Sequence, residues 1–282
     1  MPEGSIQDYG VQRYHSGGSA PEFNRDQLAV EEPLEIRVAF RRNGVAVTRP
    51  VSVTMRTPGH DPALAVGFLF TEGVIPSPEA VMGVETSPER GASIVVHLNR
   101  PVALKQLERH FFAASSCGIC GKASLEAVKL NRDVILPEGR PRWRAAGLLK
   151  IPERVQEAQS TFHATGGLHA AALLGADHEV WTVREDIGRH NAVDKVIGHA
   201  LITGRYDLSG ALLFVSGRAG FELVQKAIMA SIPAMAAVGA PSSLAVDLAR
   251  RYGFTLVGFL RNGRFNVYSG FARIEDHVPC GV

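Results

Sequence analysis

From about Pro152 the chain alternates short apolar runs with amphipathic runs of helical length, and this rhythm restricts the fold more than any other feature of the sequence. EVWTVRE (179–185), GALLFVSG (210–217) and AMAAVG (234–239) are short and bounded by turn-forming residues, as buried strands are. RHNAVDKVIGHALITG (189–204), FELVQKAIMAS (221–231) and SSLAVDLARRYG (242–253) stand between or after them with helical spacing. The last of these is capped by Ser242 or Ser243. Strands separated by helices imply βαβ crossovers and a largely parallel sheet. ERVQEAQSTFHA (153–164) reads as one helix before this region, and FTLVGFLR with RFNVYS (254–269) reads as a closing strand pair.

The preceding part reads differently. PLEIRVAF (33–40), GVAVTRP (44–50), VSVTMRT (51–57) and ASIVVHL (92–98) are β-branched and partly alternating, with Arg42-Asn43-Gly44 as a turn. HDPALAVGFLFTEG (60–73) reads as a helix with Asp61 as N-cap, Pro62 at the first helical position and Gly73 as its stop. The expected organisation is an α/β fold in four parts. Residues 1–30 form a flexible tail, by their polar, Gly/Ser-rich composition. Residues 31–115 form a small α+β subdomain, 116–150 a connecting segment, and 151–282 the larger α/β domain.

Charge and cysteine usage narrow the function class. With 30 Lys and Arg against 28 Asp and Glu, the net charge of +2 does not suit binding to nucleic acid through bulk charge. No apolar run approaches the roughly 18 residues that a membrane span needs, and the start of the chain lacks an apolar signal core. A cytoplasmic location follows as the expectation, with neither nucleic acid nor membrane as partner. There, three cysteines stay reduced and open to chemistry rather than forming a disulfide framework.

Two of the three sit in SSCGICGKAS (115–124). A helix starting near Lys122 places Cys120 at its N-terminal end, where the helix dipole and the lysine favour thiolate. Gly118 and Gly121 let the segment move and let another molecule approach the sulfurs. Zinc would need about four ligands, and no second CxxC exists; His163 and His169 are not spaced like a finger. The H-x-E…P-C-x-x-C signature of zinc deaminases is absent, the preceding segment does not suit a thioredoxin-like pair, and the P-loop pattern fails. On residue chemistry alone a reactive thiol, a metal half-site and a buried structural pair all stay open.

Four further stretches could receive a ligand. In REDIGRHNAVDKVIG (184–198) Asp186 reads as an N-cap, with Arg189 and His190 in the first helical turn. TFHATGGLHAAALLG (161–175) pairs Gly166 with Gly167 and sets His169 near a possible ligand. SGRAGFE (216–222) places Arg218 between glycines, without a Rossmann fingerprint. In FLRNGRFNVYSG (259–270), Asn262-Gly263 forms a two-residue turn that sets Arg261 opposite Arg264, a like-charge pair that a bound phosphate would relieve. Each has a plainer alternative: a capped surface helix, a tight turn with a satisfied core histidine, or arginines splayed into water.

Together, RTPGHDPALAVGFLFTEG, SCGICGKASL, TGGLHAAAL, REDIGRHNAVDKVIG, GFELVQKA, APSSLAV and GFLRNGRFNVYSG resemble the formate dehydrogenase accessory sulfurtransferases, the FdhD family, from about residue 34 to 270. The resemblance implies a cytidine-deaminase-like fold for the C-terminal α/β domain, without the deaminase zinc, and a homodimer. It implies a sulfurtransferase that accepts sulfane sulfur from a cysteine desulfurase as a persulfide on Cys117, with Cys120 as an accessory thiol. The sulfur then passes to the molybdenum cofactor, bis-molybdopterin guanine dinucleotide, bound as substrate before it enters the formate dehydrogenase apoenzyme. The cofactor-binding stretch maps to Phe259, Leu260, Arg261, Asn262, Gly263 and Arg264, with Gly166, His169, Arg189, His190 and Arg218 as further candidates. Guanine nucleotides should mimic the cofactor, and no resident metal is expected. Cys280 lies beyond the resembling region.

Overall fold

The computed structural model of the chain describes residues 1–16, 20–87, 93–102 and 134–275. It is a mixed α/β structure with several sheets. The chain opens with an antiparallel hairpin of β1 (Ile6–Arg13) and β2 (Glu22–Ala29). There follow β3 (Glu32–Arg42), β4 (Val45–Arg56), helix α1 (Asp61–Thr71), β5 (Val81–Ser87) and β6 (Ser93–Leu98), whose strands lie in the order β4-β3-β6-β5. Next come β7 (Trp143–Arg144), α2 (Ala145–Leu148), α3 (Ile151–Glu157), α4 (Ser160–Thr165), β8 (His169–Leu174) and β9 (Val180–Asp186). The rest is α5 (Arg189–Ile202), β10 (Leu212–Val215), α6 (Phe221–Met229), β11 (Ala234–Ala237), α7 (Ser243–Arg251), β12 (Thr255–Arg261), β13 (Arg264–Ser269) and β14 (Ile274–Glu275). Among the described residues, no helix is long and apolar enough to cross a membrane.

The second half forms a six-stranded sheet in the order β13-β12-β11-β10-β8-β9. Strands β9 to β12 share one direction, as the helical crossovers dictate, but the sheet is mixed rather than largely parallel. β8 inserts antiparallel between β9 and β10. The cause is local: the β8–β9 connection is a tight turn in which Gly175 N–H donates to Glu179 O at 2.9 Å and His178 adopts φ 66°. So short a link can only reverse the chain. The Leu168–Leu174 run had shown no strand signal beyond its apolarity.

Period-2 alternation divides the sheet into two cores. Ala171, Leu173, Leu213, Val215, Met235 and Ala237 face α5, α6 and α7. Ala172, Leu174, Leu212, Phe214 and Ala236 face the other way, beneath Trp143, Leu148, Ile151 and Val155. The first core continues without a break into Leu34, Ile36, Val38, Ile94 and Val96 of the N-terminal sheet. Helices α1 and α5 make that junction at a glycine crossing. A Cβ on Gly67 would sit 1.9 Å from Asp194 O, and one on Gly198 would sit 1.8 Å from Ala63 O. Gly198→Ala should therefore force the helices apart and lower stability by about 1–3 kcal/mol, read as a lower melting temperature.

Several local expectations change. Residues 1–30 are not a featureless tail: backbone pairing from Ile6↔Ala29 to Arg13↔Glu22 holds the hairpin, and β2 lies against α4. Its side chains are mostly exposed and polar, so composition carried no trace of it. GVAVTRP and VSVTMRT form one strand, β4, with the bulge at Val51. The helix expected over 153–164 is two helices parted at Ala158–Gln159. His60, not Asp61, is the N-cap of α1, at φ 59°; Asp61 instead pairs with Arg56 at 2.9 Å. Gly188, not Asp186, caps α5, while Ser242 does cap α7 by accepting from Ala245 N–H.

Candidate functional site

The parallel strands all end on one edge of the six-stranded sheet, and the sequence candidates gather there. From one side to the other the edge runs through Asp186, His169, Gly217, Gly239 and Phe259. His169 is in register with Asp186 on β9. Ala170 and Ser216 bond in both directions at 2.9 Å, Gly239 N–H donates to Gly217 O at 2.9 Å, and Phe259 N–H donates to Gly239 O at 3.1 Å. Gly239 keeps the edge narrow: a Cβ there would lie 3.0 Å from Gly217 O and 3.1 Å from Arg218 Cα. Helices α5, α6 and α7 start at the same edge, so their free N–H groups add positive potential.

Asn262 and Gly263 carry φ of 54° and 69°, as a type I′ turn requires, and Arg261 is in register with Arg264. Both arginines are exposed, and the Arg261 guanidinium lies 5.8 Å from the centroid of the Phe259 ring. Phe259 takes φ 55° at an irregularity in β12, while Leu260 is fully buried in the core. Leu260 therefore anchors the hairpin and does not face the edge. Arg218 is exposed after β10, and Arg189 opens α5. Among the described residues none of these four arginines has an ion-pair partner, which leaves the edge electropositive. Five strand spacings separate β13 from β9, a span of about 24 Å.

The other candidates have definite settings. Gly166 terminates α4 with φ 67°, which is a structural cap. His169 is half-buried; burial, then the charge of Arg189, pushes its pKa below the usual histidine range. His190 meets Glu222 of α6 at 3.0 Å, linking the first turns of two helices. Sequence reasoning did not single out Glu222, because a glutamate in a first helical turn is also an ordinary dipole partner.

It likewise missed the ion pair beneath the edge. Asp186 and Lys195, both essentially buried, meet at 2.7 Å. Asp186 accepts from Gly188 N–H at 2.8 Å, Asn191 Nδ2 at 3.0 Å and Thr57 N–H at 3.2 Å, while Lys195 donates to Thr57 O at 2.8 Å. A pair so fully bonded fixes the β9–α5 turn against the β4–α1 turn. Cys117, Cys120 and Cys280 lie outside the described residues.

The model of the FdhD/NarQ family matches residues 29–275. The chain belongs to the FdhD/NarQ family. Among its relatives, the sulfur carrier protein FdhD of Mycobacterium tuberculosis is 52% identical over 263 residues, covering 88% of this chain and 92% of that one. The protein of the same name from Streptomyces avermitilis is 49% identical over 259 residues, covering 88% and 89%. That of Anaeromyxobacter dehalogenans is 43% identical over 292 residues, covering 97% and 95%. The crystal structure of a putative formate dehydrogenase accessory protein from Desulfotalea psychrophila superposes with a TM-score of 0.75 at 23% identity. It covers 96% of this chain and 100% of that one, and it establishes the likeness of fold. Cys280 falls outside the family match.

Proposed function

We propose that this FdhD/NarQ member is a sulfur carrier and sulfurtransferase in the maturation of formate dehydrogenase. The observation that carries this reading is the 43–52% identity, over nearly the whole chain, to relatives named sulfur carrier proteins. In the proposed reaction the Cys117 thiolate attacks the terminal sulfur of a desulfurase persulfide. A new S–S bond forms on Cys117, the donor's S–S bond breaks, and the donor cysteine leaves as thiolate. Cys120 assists as a second thiol. The sulfur is then delivered to bis-molybdopterin guanine dinucleotide, the substrate, before the formate dehydrogenase apoenzyme receives it. A cytoplasmic homodimer and a cytidine-deaminase-like C-terminal half belong to the same proposal.

The electropositive edge supports a polyanionic substrate. Its phosphates would meet Arg261, Arg264, Arg218 and Arg189 and the helix N-termini, with Phe259 beside them. A strip of about 24 Å suits an elongated ligand better than a compact one. Arg264→Ala should weaken GDP binding by about 10- to 150-fold, the loss of one charge-assisted contact. Calorimetric titration of both proteins measures this, with binding expected to fall as salt rises. The melting temperature should stay level or rise slightly, since one of two facing positive charges is gone. Equal affinity in both proteins would remove the hairpin from the site.

A further inference from the structure

Among the described residues three buried side-chain atoms have no hydrogen-bond partner, and two of them, Thr182 Oγ1 and Arg184 Nε, stand two residues apart on β9. Alternate residues of a strand share a face. Here it is the face toward α5, because Asp186, the next in the series, bonds to Lys195 of that helix. β9 is the outer strand of its sheet. Two cavities border it; the one that Arg184 lines lies between β9, the β4–α1 turn and the start of α4, with Glu185 also in its wall, and only the other reaches α5. One, of about 310 Å³, is lined by Arg184 and His60; the other, of about 280 Å³, by Thr182 and His199.

The charges around Arg184 are already spoken for. Lys195 is matched by Asp186, and Asp61 by Arg56. Both oxygens of Glu185 accept backbone N–H groups, from Phe162 at 2.7 Å and Thr161 at 3.0 Å. Arg184 Nη1 donates to Val183 O at 2.7 Å, which leaves the Nε edge without an acceptor among the described residues. Burial draws the Arg184 pKa down. Burial and then the Arg184 charge do the same to His60, to about 4, and to His199. At neutral pH both imidazoles are uncharged, and Arg184 is a cation with no ion-pair partner among the described residues. A buried donor without a partner is rare, and a half-buried cation without a counter-charge costs more than a neutral group.

We propose that the cavity between β9, the β4–α1 turn and the start of α4 binds a small oxyanion, a phosphoryl or carboxylate group, on the Nε edge of Arg184, with His60 beside it. The site goes beyond the sulfur-carrier reading and does not depend on it. It lies at the opposite side of the sheet from the Arg261–Arg264 hairpin.

The test titrates the protein with inorganic phosphate, and separately with acetate, at constant ionic strength. Melting temperature is followed throughout. Saturable stabilisation is expected in the wild type and in Arg264→Ala. It should weaken by about tenfold or more in Arg184→Gln, the loss of one charge-assisted contact. If Arg184→Gln does not fold, Arg184→Lys keeps the charge, removes the Nε edge and carries the same comparison. A response to phosphate alone assigns the site to phosphoryl groups, and a response to acetate as well assigns it to oxyanions generally. No saturable response in the wild type, or an equal one in the Arg184 variants, overturns the proposal. Loss of the response in Arg264→Ala alone would also overturn it, by placing phosphate at the hairpin.

Discussion

Lys226→Met is expected to lower stability by about 3–5 kcal/mol, because it strands a buried carboxylate. Lys226 Nζ lies 2.9 Å from Asp194 Oδ2, 2.8 Å from Glu72 Oε1 and 3.0 Å from Thr71 Oγ1. One ammonium thus ties α6 to α5 and to the end of α1. Burial opposes its charge, but Asp194 and Glu72 together hold its pKa above the ordinary lysine value. A lysine pKa raised by folding contributes stability that is complete below the unfolded lysine pKa, near 10.4, and lost only as pH climbs through the folded value. The wild type should therefore keep this contribution across the whole neutral range. In the variant Asp194 stays buried with Thr71 as its remaining bonded partner, and burial raises a carboxyl pKa. Such a group takes up a proton on folding, so stability rises as pH falls toward the unfolded carboxyl value. Denaturant melts of both proteins at pH 8 and pH 5.5 should show a smaller deficit at the lower pH. A deficit that does not change with pH would mean that Asp194 is not the stranded group.

Cys117→Ala should abolish the protein's contribution to formate dehydrogenase maturation, a loss of at least about a thousandfold if the thiol is the covalent carrier. The readout is formate dehydrogenase activity in cells whose own copy of the gene is deleted, with protein levels matched. The substitution leaves Arg189, Arg218, Arg261 and Arg264 in place, so GDP affinity should stay at the wild-type value. That separates it from Arg264→Ala, which should lose nucleotide affinity while still accepting sulfur. Maturation at the wild-type level in Cys117→Ala would turn the protein into a cofactor chaperone that needs no persulfide.

The strand and helix rhythm after Pro152 was legible because each element is short, apolar and bounded by glycines or polar caps, and β9 to β12 lie close to where that rhythm put them. The Asn43-Gly44 and Asn262-Gly263 turns were legible because two adjacent positive φ values have few side-chain solutions. The N-terminal hairpin was not, since its pairing rests on backbone bonds between exposed polar residues. The reversal of β8 was hidden because AAALL is uniformly apolar, as a strand covered on both faces is, and carries no record of direction. The candidate site was half visible. Motifs named Arg189, His190, Arg218 and the hairpin, but only topology brings them to one edge. Glu222, Lys195 and Arg184 were invisible because their meaning comes from partners, or the lack of one, on other elements.

The central claim is that Cys117 carries sulfur, and intact-mass spectrometry after incubation with a cysteine desulfurase and cysteine tests it most directly. The account predicts a gain of about 32 Da per sulfur atom in the wild type, removed by reductant, and no such gain in Cys117→Ala. An equal gain in Cys117→Ala, or none in the wild type, would contradict it.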